Sequence, residues 1–180
     1  MASPLTHAVV AATLAAVHGV KPLAAAPWWI GIACAIAPDL DAFGYWLGVP
    51  YGSFWGHRGF THSIAFAALI GWMCARLIGR SPAVNQVRLW SFYFMATLSH
   101  GLLDALTDGG LGVAFFSPVD QRRYFFPLRP IRVSSMSLPD LLGPHGIDVL
   151  RSEIQWVWVP CGLTAAVVWW WNRRTVSSSE

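Results

Sequence analysis

The stretch His57-Arg58-Gly59-Phe60-Thr61-His62-Ser63 places two imidazoles, one guanidinium and two hydroxyls within seven consecutive residues. The segments directly before and after it are apolar and almost free of charge. A neutral polar group left unpaired in an apolar environment costs roughly 2–7 kcal/mol, so these side chains need partners. The fold must therefore bring other polar segments of the chain to this stretch.

The composition is that of a chain that lies in an apolar environment. Of its 180 residues, 55% are hydrophobic and 12% are charged, 11 are Trp, and the mean hydropathy is +0.48. Soluble domains contain about 25% charged residues, so we expect an integral membrane protein. It should form a single domain over residues 1–172, with a short polar tail at 173–180. The net charge of +3 gives no indication of nucleic-acid binding.

Apolar segments predict an all-α fold, a polytopic bundle of four or five membrane helices. They cover approximately residues 5–20, 23–47, 61–79, 88–107 and 154–171. The second segment is interrupted at residues 37–41, where Pro38 removes a backbone donor from the helix. Such a break is tolerated at membrane depth only where it lines a cavity or is buried in protein. Thr61 is expected to cap the third helix.

The segments between these helices suggest an orientation. Residues 80–87 form a short polar turn, and residues 108–152 form a loop or re-entrant insertion near the site. Arginines close to membrane spans favour the cytoplasmic side, which would place Arg80, Arg88 and the tail there. The helix ends that carry His and Asp would then face outward, toward the periplasm.

Four segments carry His and Asp residues at positions suited to metal ligands. His100 and Asp104 are four residues apart, so they project from one helix face. His57 and His62 converge if the first lies on a loop and the second in the first turn of a helix. The complete set of candidate ligands is His7, Asp39, Asp41, His57, His62, His100 and Asp104.

Imidazole and carboxylate ligands in this mixture suit Zn²⁺, Mn²⁺ or Fe²⁺. Seven ligands exceed what one tetrahedral ion needs, so we expect two or more ions. Two ions about 3.5–4 Å apart can activate a water and stabilise the leaving oxygen of a phosphoester. Arg58 is placed to neutralise a transferring phosphate by a bidentate contact, and Arg122 and Arg123 are candidate substrate-binding residues.

Other polar residues have structural interpretations beside the functional ones. Asp108 precedes two glycines and could simply form a turn, but with Arg58 it is a candidate catalytic residue. The arginines of 122–132 could instead anchor lipid headgroups. Glu153 begins the last apolar segment, where a carboxylate is favoured by the helix dipole. His18 has no acidic neighbour and is expected to lie outside the site.

The ligand-bearing motifs together resemble the YdjM/YbcI-type family of bacterial inner-membrane proteins, described as membrane-bound metal-dependent hydrolases. The matching elements are Thr6-His7, Pro38-Asp39-Leu40-Asp41, the stretch 57–63 and Ser99-His100-Gly101-Leu102-Leu103-Asp104, in this order within residues 1–135. The family is distantly similar to zinc-dependent phospholipase C and to single-strand nucleases, which are helical proteins with a cluster of zinc ions. The resemblance thus implies a multi-pass protein of the bacterial inner membrane that hydrolyses phosphoesters.

The resemblance also implies roles for individual residues. The seven candidate ligands would bind zinc. The soluble relatives use a late glutamate, which makes Glu153 a candidate catalytic residue, although no His stands four residues before it at position 149.

We therefore predict a hydrolase that cleaves a phosphoester in a phospholipid or a lipid-linked phosphate. Two other functions remain open. A metal-ion or proton transporter would place its His and Asp along a pathway near the bilayer midplane. A structural membrane protein would use the metal only to hold helices together. Ligands of a hydrolase should instead gather at one end of the bundle.

Overall fold

A computed structural model of the chain describes residues 1–20, 26–78, 85–135, 140 and 142–177. Its α-helices are α1 (Pro4–Val17), α2 (Ala26–Ile36), α3 (Ile64–Ile78), α4 (Gln86–Ala105), α5 (Pro144–Glu153) and α6 (Val159–Ser177). Within these residues, β-structure is limited to two isolated bridges, Thr107 with Ile131 and Val113 with Tyr124. The predicted all-α fold is confirmed.

Short non-α segments interrupt the helices at positions that matter for the site. A 3₁₀ helix at Ala37–Tyr45 follows α2 directly, and a 3₁₀ turn at Phe60–His62 precedes α3. The change of helix type after Ile36 occurs at the predicted break, because Pro38 has no N–H with which to continue the α-helical hydrogen bonds.

Helix α4 lies at the centre of the bundle, in contact with α1, α2 and α3. Small residues let these helices approach it closely. A Cβ atom at Gly31 would lie 2.2 Å from the ring of the fully buried Phe92, and one at Gly71 would lie 2.8 Å from the backbone nitrogen of Phe94. The surrounding core is rich in alanine: Ala11, Ala15, Ala35, Ala75 and Ala96.

The predicted start of the last helix at 154 is wrong. Helix α5 begins at Pro144, and a π-helical segment at Ile154–Trp158 joins it to α6, which extends into the expected polar tail as far as Ser177. Proline is well suited to the first turn of a helix. No continuous apolar run marks α5, because the polar residues His145, Asp148, Arg151, Ser152 and Glu153 are interspersed along it.

The cap predicted for the third helix is also wrong. The Ser63 hydroxyl accepts a hydrogen bond of 3.0 Å from the Phe66 amide, so Ser63 caps α3. Thr61 lies in the preceding 3₁₀ turn, where its hydroxyl donates to Asp41. The capping position is therefore two residues later than predicted, and the Thr61 hydroxyl bonds to the candidate ligand Asp41 instead.

None of the described helices combines the length and the apolar composition needed to cross a membrane. The expected bundle of membrane helices is not confirmed, and its multi-pass topology stays a prediction. Arg80, one of the residues used to orient that topology, lies outside the described residues.

Candidate metal centre

The four ligand-bearing segments meet at one end of the bundle. Helix α1 begins there with His7, and α2 ends there just before Asp39. Helix α3 begins there just after His62, and α4 ends there with Asp104. Because successive helices alternate between beginning and ending at this level, ligands far apart in sequence lie side by side.

The first ligand group consists of Asp39, His62, His100 and Asp104, which each offer one ligand atom within 4.8 Å of the others. His100 Nε2 lies 3.1 Å from Asp39 Oδ1, and His62 Nε2 lies 3.6 Å from Asp104 Oδ2. Donor atoms bound at about 2.0–2.1 Å to one tetrahedral ion are roughly 3.4 Å apart. The observed separations therefore suit a single shared ion.

A contact with the backbone, on the side of the ring away from Asp39, fixes the orientation of His100. Its Nδ1 lies 2.7 Å from the carbonyl oxygen of Ala35, in the last turn of α2. A carbonyl oxygen only accepts, so Nδ1 carries a proton, and Nε2 is the ring nitrogen that faces the ligand group, 3.1 Å from Asp39 Oδ1. The carbonyl is available because the last turn of a helix has no intrahelical donors.

A second ligand group, formed by Asp41, His57 and His62, adjoins the first and shares His62 with it. Asp41 Oδ1 lies 2.7 Å from His57 Nδ1, and Asp41 Oδ2 lies 3.2 Å from His62 Nδ1. A carboxylate in this position holds both rings and raises their basicity as ligands. It also leaves the Nε2 atom of His62 directed at the first group.

The charges of these residues are coupled. Burial raises the pKa of the Asp41 carboxyl, but hydrogen bonds from His57 and His62 outweigh it and lower that pKa to about 2. Burial lowers the pKa of the His62 ring, but the carboxylates of Asp39 and Asp41 outweigh it and raise that pKa to about 9. The carboxylates are thus ionised, which is the state that attracts a cation.

Several buried polar atoms at this site lack a hydrogen-bond partner among the described residues. They include both ring nitrogens of His7, Nε2 of His62 and Oδ2 of Asp39. The His7 ring is fully buried and stacks on His100 with 3.7 Å between centroids. Buried polar atoms without partners are rare and need an explanation. The donors are all of the types that bind Zn²⁺, Mn²⁺ or Fe²⁺, so the residues fit the expected metal.

Arg58 is a fully buried residue beside the first group, and its backbone is left-handed, with φ of 63°. Its Nε donates to Asp104 Oδ2 at 2.9 Å, while its other nitrogens donate to Gly109 O and Thr107 Oγ1. These contacts orient Asp104. Arg58 also borders a cavity of about 140 Å³ that His57 lines. The predicted contact with phosphate stays a prediction.

The two arginines predicted to bind substrate lie in different surroundings. Arg122 is exposed and pairs with Asp120 at 2.8 Å. Arg123 is half-buried and holds the loop that leads to the second ligand group, because its guanidinium donates to the backbone carbonyls of Tyr51, Ser53 and His57. Any contact of either residue with substrate stays a prediction.

Asp108 lies outside both ligand groups. Its side chain is 31% exposed, pairs with Arg132 at 2.8 Å and accepts a hydrogen bond from the Val133 amide. Partial burial raises the pKa of Asp108, but these two bonds outweigh it and lower that pKa below its usual value. In this structure Asp108 connects the turn after α4 to the segment before α5, and its predicted catalytic role is untested.

Glu153, the last residue of α5, is buried against the first turn of α1 and lies outside both ligand groups. Its carboxylate accepts hydrogen bonds from the amide and hydroxyl of Ser3 and from the hydroxyl of Thr6. The Glu153 carboxylate therefore places negative charge at the positive, N-terminal end of α1. One of its hydrogen-bond partners, Thr6, directly precedes His7. Its predicted catalytic role is likewise untested.

Three residues near the centre were not among the predicted site residues. The Thr61 hydroxyl donates to Asp41, and the rings of Tyr45 and Tyr51 lie 6.3 and 5.4 Å from the His57 ring. Both tyrosines lie in the segment that joins Asp41 to His57. A search of the segments between ligands would have identified them.

Comparisons with known proteins agree with this arrangement of motifs. The chain matches the family model described as YdjM inner membrane protein over residues 1–175. It is 37% identical over 174 residues to inner membrane protein YbcI of Escherichia coli (strain K12), a match that covers 97% of this chain and 100% of that protein. No solved structure matches the chain. The resemblance that the motifs suggested is confirmed, and the chain belongs to the YdjM family of inner membrane proteins.

Proposed function

We propose that the chain is a membrane-bound metal-dependent hydrolase that cleaves a phosphoester in a lipid or lipid-linked substrate. The observation that carries this proposal is the buried cluster of His and Asp side chains, in which Nε2 of His62, Oδ2 of Asp39 and both ring nitrogens of His7 lack partners in the described residues. Ionisable groups are costly in such an apolar chain and are kept where they serve a function.

Some residues of the chain would bind the metal ions, and others would hold those ligands in position. Asp39, His62, His100 and Asp104 would hold one divalent ion, and His57 with Asp41 would hold a second beside it. Such ions supply activation of a water and neutralisation of phosphate charge when bound. The Ala35 carbonyl and Arg58 would keep His100 and Asp104 in position. Zinc is the expected metal, with Mn²⁺ or Fe²⁺ as alternatives.

The position of the cluster supports a hydrolase more than a transporter. A transport pathway needs ligands along the length of the bundle with access from both sides. Here the ligands lie where α1 and α3 begin and where α2 and α4 end. Below them, the described core between the helices is built from alanines together with Cys34, Leu89, Phe92 and Tyr93, and it contains no His, Asp or Glu. A site at one end is reached from one side.

The experiment is to measure the metal content and the phosphoesterase activity of the purified protein. We expect about two bound transition-metal ions per chain. His100→Ala should lower metal affinity and activity about a hundredfold or more, because loss of even a supporting residue typically costs 10–100-fold. His18→Ala is the matched control: His18 lies at the opposite end of α1 and bonds to the Leu14 carbonyl.

The alternative functions correspond to distinct results. Bound metal without hydrolysis, together with metal-dependent melting, would indicate a structural metal site. Metal uptake into proteoliposomes that Asp104→Asn abolishes would indicate a transporter. A protein without transition metal, whose hydrolysis is unchanged by His100→Ala, would contradict the proposal.

A further inference from the structure

The segment that joins Asp41 to His57 has an unusual composition. Residues 42–56, here called the apolar loop, contain no Asp, Glu, Lys, Arg or His, but six aromatic residues. Its backbone is a 3₁₀ helix followed by turns. A loop of a water-facing surface normally carries charge, so this composition calls for an apolar partner.

The apolar side chains of this loop are exposed. Trp46 is 82% exposed, Leu47 83% and Trp55 62%. The rings of Phe43 and Trp46 lie 5.1 Å apart and line an apolar cavity of about 490 Å³ with Ala42 and Tyr45. Exposed apolar side chains gathered around Phe43 and Trp46 in this way are typical of an interaction surface.

The patch is continuous with the candidate metal centre. Tyr45 lines the apolar cavity and also the smaller cavity that His57 and Arg58 border. Its ring lies 6.3 Å from the His57 ring. A molecule with an apolar part and a phosphate could therefore occupy both cavities at once.

We infer that the apolar loop docks into the lipid–water interface and that the cavity beside Phe43 and Trp46 receives a lipid acyl chain. Trp and Tyr favour this interface. The irregular backbone of the loop has amides and carbonyls that need water, which limits it to interfacial depth. The absence of charge indicates insertion of apolar side chains rather than attraction to anionic headgroups, and the family is one of inner membrane proteins.

The inference also rests on the proposed function where it names the substrate. A lipid held by its acyl chain in the apolar cavity would place its headgroup phosphate beside His57 and Arg58. The substrate class is therefore a membrane phospholipid or lipid phosphate rather than a water-soluble phosphoester.

Docking can be tested without any assay of activity. The full chain, with Cys34, Cys74 and Cys161 replaced by Ser, would carry Leu47→Cys labelled with a polarity-sensitive fluorophore in phosphatidylcholine proteoliposomes. We expect quenching by lipids that carry a spin label and protection from aqueous iodide. Gln121→Cys, an exposed polar position in another loop, is the aqueous reference.

Two results would overturn the docking inference. Iodide quenching at position 47 equal to that at 121 would place the loop in water. Protection from iodide without quenching by spin-labelled lipid would show that a protein surface covers the loop, whether a second copy or another partner. Adding anionic lipid should leave the result unchanged, because the loop is uncharged.

The substrate is tested with the double variant Phe43→Ser, Trp46→Ser, which changes two of the residues that line the apolar cavity. The ratio of hydrolysis of vesicle phospholipid to hydrolysis of a soluble p-nitrophenyl phosphodiester should fall about tenfold, because two large apolar contacts are lost. Equal loss on both substrates, with metal content retained, would contradict the acyl-chain cavity. If the wild-type protein cleaves neither substrate, the proposed function fails and so does the substrate assignment, while docking is still decided by the quenching result.

Discussion

Arg58 carries a charge that water does not reach, since its side chain is fully buried against Asp104. A residue with a left-handed backbone at this position needs strong side-chain contacts to hold it, and three hydrogen bonds do so. Gly110 completes the contact: a Cβ atom there would lie 2.6 Å from Arg58 Nη1. The turn after α4 therefore packs directly against the Arg58 guanidinium, and glycine at position 110 leaves room for it.

Replacing Arg58 should destabilise the protein strongly. In EDTA, we expect Arg58→Ala to lower the free energy of unfolding by about 3–5 kcal/mol, because the buried Asp104 carboxylate loses its guanidinium partner and keeps the hydrogen bond from the Ala2 amide. The double variant Arg58→Ala, Asp104→Ala should recover part of that loss. Denaturant titration of the detergent-solubilised protein measures both. Equal stability of the single and double variants would show that the Asp104 carboxylate left behind is not the source of the loss.

A substitution at His7 can distinguish a role in packing from a role in metal binding. Its ring stacks on His100, so His7→Phe keeps an aromatic ring there but removes both nitrogens. We expect metal-free His7→Phe to be at least as stable as the wild type, because two buried polar atoms without partners are removed. Its metal affinity should fall about 10–100-fold, as measured by competition with a chromogenic chelator. Unchanged affinity would make His7 a packing residue only.

At the scale of elements, the site is built from helix ends, and this much could be predicted from the sequence. Pro38 marked the end of α2, and the i, i+4 spacing of His100 and Asp104 placed both on one face of α4. What could not be predicted is which polar group supports which ligand. The hydrogen bond that His100 Nδ1 donates to the Ala35 carbonyl joins residues 65 apart in sequence and forms because α2 and α4 pack side by side.

The arginines show the same limit. Arg122 and Arg123 are adjacent and chemically identical, so the sequence could not separate them. In the fold, Arg122 lies on the surface. Arg123 donates hydrogen bonds to the backbone carbonyls of a loop that lies 66–72 residues earlier in the sequence. Helix α5 was missed for a related reason: its helical character depends on a buried face that includes Val149 and Glu153 rather than on an apolar run.

This difference predicts unequal effects of two neighbouring substitutions. Arg123→Ala should lower stability by about 1–3 kcal/mol, because a half-buried cation loses its bonds to carbonyls. Amide hydrogen exchange should rise in residues 51–57 in this variant. Arg122→Ala should change neither measurement, because its pair with Asp120 lies in water. Equal exchange in the two variants would contradict the role assigned to Arg123.

At the scale of the whole molecule, the metal should couple four segments into one folding unit. A metal that binds the folded chain alone adds about 2.7 kcal/mol at a concentration of 100 times Kd. For a chain of this size, that corresponds to a rise in Tm of roughly 5–10 °C. EDTA should remove the increment and Zn²⁺ should restore it, as followed by thermal unfolding. Mg²⁺ should restore less, because it prefers oxygen ligands. A Tm independent of metal would contradict a resident ion.

The contact between Glu153 and the first turn of α1 has a consequence for the order in which the protein is made. His7 is synthesised before α5, and the Glu153 carboxylate that accepts hydrogen bonds from Ser3 and Thr6 lies 147 residues after Thr6. Until α5 has formed, the turn that carries His7 lacks its buried partner. We therefore expect a chain that lacks α5 to hold the first turn of α1, and with it His7, less firmly than the full chain does.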